Sequence, residues 1–172
     1  MNKLIIGLAA AATLLVGCQS SKVEIAGRMA AGEQKEIYLE QVSMMQQSVI
    51  DTAALDNEGN YLFTLEEGPK SPAIYNLLYE GERIPLFLSA GDRLTVSSVG
   101  NITRNYTVEG SKESELLRKF NKEFLDGQLA LNNLLLDYGK ADNENKQELA
   151  ERYNDLYRKV KRNQISFIVE NK

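Results

Sequence analysis

The sequence predicts an α+β protein: an antiparallel β-sandwich or partial barrel of about eight short strands, followed by a two-helix antiparallel hairpin. Three observations carry that prediction. Between Val23 and Glu109, apolar residues recur with period two in short runs separated by Gly, Pro, Asn and Asp. From Ser111 onward the period changes to about 3.6 and holds through two stretches. Ahead of both lies a charged, then apolar, segment ending in the only cysteine, Cys18, which fits neither pattern.

The strands follow in order. Val23, Ile25 and Gly27 alternate with Glu24, Ala26 and Arg28, and an Ala31-Gly32-Glu33 turn leads to Ile37 and Leu39. A third run passes through Val49-Ile50-Asp51-Thr52-Ala53. Asp56-Asn57-Glu58-Gly59 then reads as a hairpin turn into Tyr61-Leu62-Phe63-Thr64-Leu65. Gly68-Pro69-Lys70-Ser71-Pro72 is a loop, since proline cannot donate to a ladder. Runs from Ala73 to Tyr79 and from Ile84 to Leu88 flank the Glu80-Gly81-Glu82 turn. Ala90-Gly91-Asp92 turns into Leu94-Thr95-Val96, and Tyr106-Thr107-Val108-Glu109 is the last run.

Ser111 is placed to cap the first helix, with Glu113 and Glu115 where the helix dipole favours anions. Leu117, Phe120, Phe124, Leu131, Leu135 and Tyr138 form one stripe, and Gly139-Lys140-Ala141-Asp142 breaks it. Leu149, Tyr153, Leu156, Val160 and Phe167 form the stripe of the second helix. Glu148–Arg152 and Asp155–Lys159 are spaced to pair on its exposed side. Two such stripes joined by a short connection are best buried against each other.

Composition removes several functions. The chain has 172 residues and a formal charge of −4, with both signs mixed along it and no basic stripe. That excludes nucleic acid as an expected partner. It contains no histidine, and one cysteine in all. Ser-His-Asp and Cys-His catalysis are therefore ruled out, and zinc lacks its usual ligands, so no metal or cofactor is expected.

Carboxylates are the remaining acid–base candidates, as Glu66-Glu67 or as Glu80 with Glu82, but both sets sit beside turns where acids are ordinarily solvated. Asp51 lies within an apolar strand and is expected to pair with backbone or a basic neighbour at a sheet edge. Tyr75, Leu77 and Tyr79 share one strand face. Tyr75 and Tyr79 are thus a candidate aromatic platform for a sugar or peptide, set against core packing. Asn101-Ile102-Thr103 and Asn105-Tyr106-Thr107 match a glycosylation acceptor pattern but read as loop residues. Gly27, Gly59 and Gly91 are not spaced as a phosphate-binding loop and belong to strands and turns.

The amino end has the layout of an export signal: Lys3, an apolar stretch from Leu4 to Val16, then Gly17-Cys18. The stretch is about 13 residues, short of the roughly 20 that span a bilayer. Its close, Leu15-Val16-Gly17-Cys18, resembles the lipobox of bacterial lipoproteins. The resemblance implies cleavage before Cys18, palmitate-type acylation of its thiol and new amino end, and tethering to a membrane. Removing residues 1–17 from the 172 leaves 155, with Gln19-Ser20-Ser21-Lys22 as a polar tether. With no aspartate after the cysteine, the tether is similar to sorting signals for the periplasmic face of the outer membrane.

The series that follows resembles a known domain. Val23-Glu24-Ile25-Ala26-Gly27 is similar to the opening "I-x-G" strand of a domain of unknown function, which precedes a thioredoxin-like domain in Bacteroidetes-type thiol-disulfide oxidoreductase lipoproteins. Ile37-Tyr38-Leu39, the run at 49–53, Asp56 to Phe63, Pro72 to Tyr75, Leu86 to Val96 and Val108-Glu109-Gly110-Ser111 continue the match, and the helices resemble the linker after it. The chain stops at Ile168-Val169-Glu170-Asn171-Lys172, where relatives would enter the redox domain, so no redox residue carries over.

The expected organisation is a signal peptide at 1–17, a lipidated tether at 18–22, a sandwich at 23–110 and a helical hairpin at 111–172. The resemblance implies a non-enzymatic envelope lipoprotein, a binding or scaffold module held by Cys18. Its expected partners are a thioredoxin-like protein or a second copy through the C-terminal helix. The competing expectation is a carbohydrate- or peptide-binding module for nutrient capture, using Tyr75 and Tyr79.

Overall fold

The computed structural model describes residues 21–30, 35–100 and 102–171. The expected signal peptide, Cys18, most of the tether, the Ala31-Gly32-Glu33 turn and Asn101 lie outside the described residues.

Backbone pairing divides the β region into two four-stranded sheets. In the first, β1 (Val23–Arg28) lies between β4 (Asn60–Leu65) and β7 (Arg93–Ser98), and β8 (Tyr106–Glu109) follows β7. In the second, the order is β3 (Gln47–Ala54), β2 (Glu36–Val42), β5 (Ala73–Tyr79) and β6 (Glu82–Leu88). β1 and β7 run parallel, while the other neighbours are antiparallel. The inner faces meet in one core that includes Ile25, Phe63 and Val96 from the first sheet and Leu39, Leu77 and Leu86 from the second. The expected α+β sandwich is the observed one.

The connections differ from the sequence reading at one point. Asp56-Asn57-Glu58-Gly59 does turn tightly, with the Gly59 N–H donating to the Asp56 carbonyl at 3.0 Å. The Asp56 carboxylate accepts from the backbone of Glu58 and Asn60 and from the Asn60 side chain, which lowers its pKa. Yet β3 and β4 belong to different sheets, so the turn is a corner between layers and not a hairpin. Local turn chemistry is the same for both, and only distant pairing partners decide between them. True hairpins join β2–β3, β5–β6 and β7–β8. In the second of these, Glu80 and Gly81 both adopt positive φ (52° and 76°), as a two-residue primed turn requires.

Gly27 has a specific structural task. It pairs with Tyr61 across the β1–β4 ladder, and both face the core. A Cβ on Gly27 would overlap the Val96 carbonyl oxygen of β7. Across this bare spot Tyr61 donates its hydroxyl to that same oxygen at 2.8 Å. Burial pushes the Tyr61 hydroxyl far above the ordinary phenol range, so it remains a donor.

Two helices complete the fold. α1 (Lys112–Lys140) begins at Ser111, whose side chain accepts from the Ser114 N–H, with Glu113 and Glu115 in the first turn as expected. α2 (Asn143–Glu170) is capped by Asp142. The expected break at 139–142 thus narrows to Ala141 and Asp142, with Gly139 and Lys140 still helical. Asp155 pairs with Arg158 at 3.9 Å rather than with Lys159, and Glu148 and Arg152 form no ion pair. α1 packs on β6 and β8, the two edge strands on one side of the sandwich, and so covers its open flank. α2 returns along α1, with Phe120 and Phe167 ring centroids 4.4 Å apart.

Candidate functional site

The aromatic candidates are core residues. Tyr75 and Tyr79 are 4% and 2% exposed, and both belong to the buried cluster with Leu77. Burial raises the Tyr75 pKa, and the Tyr79 hydroxyl donates toward the Ala30 carbonyl at 3.4 Å. Of the two readings of this face, core packing is the observed one, and the sugar or peptide platform is corrected. Positions 75, 77 and 79 turn inward because β5 is a central strand whose inner face lies against the other sheet.

The acidic candidates stay apart. Glu66 and Glu67 are exposed beyond the end of β4. Glu80 and Glu82 are exposed at the opposite end of the sandwich, where Glu82 accepts from the Thr103 hydroxyl. Asp51 is half-buried on the edge strand β3 and accepts the Thr52 N–H at 2.8 Å, as expected of a carboxylate paired with backbone. Among the described residues, no group of three or more His, Cys, Asp or Glu is disposed to hold a metal ion.

Two features invisible in the sequence lie on the outer side of the second sheet. Glu40 on β2 is 5% exposed, and its carboxylate receives two bonds from the Arg83 guanidinium of β6, at 2.9 and 3.1 Å. The pair spans β5 diagonally, beside the buried Asn76. The bidentate hydrogen bonds from its guanidinium to Glu40 raise the Arg83 pKa. No local spacing announces it, because the partners are 43 positions apart.

The second feature joins sandwich to helices. β6 is an edge strand, so the outward N–H and C=O of Phe87 need partners outside the sheet. Ser114 supplies both: its hydroxyl accepts from Phe87 N at 2.9 Å and donates to Phe87 O at 2.8 Å. Ser114 is fully buried. Ser114→Ala should strand the Phe87 N–H, leave its carbonyl only the longer bond from the Ser111 hydroxyl at 3.5 Å, and cost about 2 kcal/mol. A lowering of the melting temperature by roughly 4–8 °C is the expected reading. An unchanged melting curve would show that α1 does not depend on this clamp.

Beside the clamp, Ile74, Phe87, Leu116, Leu117 and Phe167 line an open, mainly apolar cleft of about 240 Å³, with Glu113 and Asn171 at its rim. The cleft lies at the end of the sandwich that receives the amino-terminal segment. There the Ser21 carbonyl accepts from Gly68 and Gly91, at 2.8 and 3.3 Å, tying the first described residue to the loops on either side of the β5–β6 hairpin. At the other end α1 passes Tyr106, whose buried hydroxyl lies beside Asn121 and Arg118. Leu129, Leu135, Leu136 and Tyr138 of α1 are exposed, so much of the expected stripe is only partly covered. Leu131 alone in the C-terminal half of α1 is buried.

A β-sandwich flanked and extended by a helical pair is the class these features define. Residues 23–117, from the first residue of β1 into the second turn of α1, match the family described as Domain of unknown function (DUF4369). The match spans more than half of the chain, and the chain belongs to that family. No curated protein matches it. The matched segment ends just past Ser114, so the clamp falls within the family's domain and most of the helical pair lies beyond it.

Proposed function

We propose that this protein is a non-enzymatic envelope lipoprotein, a binding or scaffold module held by acyl chains on Cys18 at the periplasmic face of the outer membrane. The observation that carries the reading is the sequence Leu15-Val16-Gly17-Cys18 at the close of a short, singly charged apolar segment. The docking of Ser21 against the Gly68 and Gly91 loops supports it, since only Gln19 and Ser20 separate that anchored residue from Cys18. Dual or triple acylation holds a protein stably where a single chain does not.

The scaffold role rests on the helical arm. Leu129, Leu135, Leu136 and Tyr138 leave apolar surface that favours docking of another protein. By resemblance to its family's setting in oxidoreductase lipoproteins, that partner is a thioredoxin-like protein. Cells given a labelled palmitate should incorporate it into the wild-type chain and not into the Cys18→Ser variant, which should keep its leader. Equal labelling of both would contradict the anchor. Purified chain should reduce a protein disulfide no faster than background, and robust turnover would contradict the non-enzymatic assignment.

A further inference from the structure

We propose that the carboxy-terminal turns of α2 form a second, direct contact with the bilayer surface, an inference that rests on the anchor reading of Cys18. Ile165, Ile168 and Val169 are 61%, 59% and 58% exposed, an unusual density of bare aliphatic surface on one helix end. With about 100° per residue, they share one face, about 120° wide, with Arg158, Lys161 and Arg162. Farther back, Glu144 and Glu151 stand on the same face, with Asp155 and Glu148 just beyond its edge. Along the helix axis the face thus reads acidic, basic, apolar.

The fold orients that gradient. Phe167 and Asn171 lie against Ile74 and Phe87, at the same end of the sandwich as Gly68, Gly91 and Ser21. The apolar end of α2 and Ser21, the first described residue, therefore lie at one end of the molecule. From Ser21 back to Cys18 is three residues, a reach of about 10 Å even when extended. A lipid on Cys18 would hold this end at the membrane. Arg162 stands about 10 Å along the axis from Val169, and Asp155 about 21 Å. With Val169 at the acyl boundary, the cations reach anionic headgroups, and the acids stand beyond the roughly 8 Å screening length. Among the described residues no helix is long and apolar enough to cross the membrane, and this contact lies on its surface.

A second copy paired along the whole of this face either loses its apolar contacts or opposes like charges. Antiparallel self-pairing centred between Asp155 and Arg158 sets Ile165 against Glu148 and Val169 against Glu144. Parallel pairing sets like charges together.

The chain has no tryptophan, so single reporters are unambiguous. Full-length Ile168→Trp and Leu136→Trp variants, both at exposed positions, would be extracted from bacterial membranes and reconstituted into phosphatidylethanolamine/phosphatidylglycerol vesicles with brominated acyl chains. Emission of the Ile168→Trp variant should shift to the blue and fall roughly twofold by bromine quenching, whereas Leu136→Trp stays unquenched. A lipidated, vesicle-bound Ile168→Trp chain with solvent-like, unquenched emission would overturn this contact alone. Blue-shifted but unquenched emission that grows with protein concentration would assign the face to a second copy and overturn it too. Recovery of a chain without lipid would overturn the anchor reading and this inference with it.

Discussion

Gly27→Ala is expected to be the most damaging methyl group that can be added to this protein. Gly27 faces the core between Tyr61 and Val96, and its Cβ would enter the space of the Val96 carbonyl oxygen. That oxygen cannot retreat freely, because it accepts the buried Tyr61 hydroxyl and belongs to β7, which pairs in parallel with β1. Relief requires the two central strands of the first sheet to separate. Overpacking of a filled core costs about 1–3 kcal/mol, and a clash with backbone rather than side chain belongs at or above the upper end. The expected loss is about 3 kcal/mol or more, a melting temperature lower by roughly 6–12 °C. Gly139→Ala is the control: that glycine is helical with open space around it, and alanine there should stabilise by up to about 1 kcal/mol. Equal effects of the two substitutions would remove Gly27 from its assigned role.

Arg83→Ala should rank second. It leaves the Glu40 carboxylate, 5% exposed, without the guanidinium that gives it two hydrogen bonds. Breaking a fully buried pair costs about 3–5 kcal/mol, but the Arg83 side chain is 45% exposed, so water can enter and about 2–3 kcal/mol is expected. The sign of the pair variant is the sharper test. Glu40→Leu with Arg83→Leu removes the buried charge together with its partner, and should recover most of the loss. A double-mutant cycle with no coupling between the two positions would mean that the salt bridge contributes packing only.

These two positions also show where the sequence stops being legible. Alternation marks most of the strands, because one face of each lies in the core and period two records that directly, whereas β3 buries only Ala53. Ser111 announced the first helix, since capping is local chemistry. Whether a turn closes a hairpin or rounds a corner is not local, so the Asp56–Gly59 sequence fits either outcome and only the distant pairing of β4 makes it a corner. Tyr75 and Tyr79 carried the pattern of either a platform or a core stripe, and only the opposing sheet decides for the core. Nothing local marks Ser114, whose role depends on β6 being an edge strand that needs a partner. Nothing local marks Glu40 and Arg83 either, because the pair joins strands distant in sequence.

Intact-mass spectrometry of the protein extracted from bacterial membranes tests whether the mature chain begins at Cys18 and carries its lipid there. The expected species is a polypeptide that begins at Cys18 and carries the added mass of its acyl groups. An unmodified chain at the full 19.3 kDa, still beginning at Met1, would contradict it.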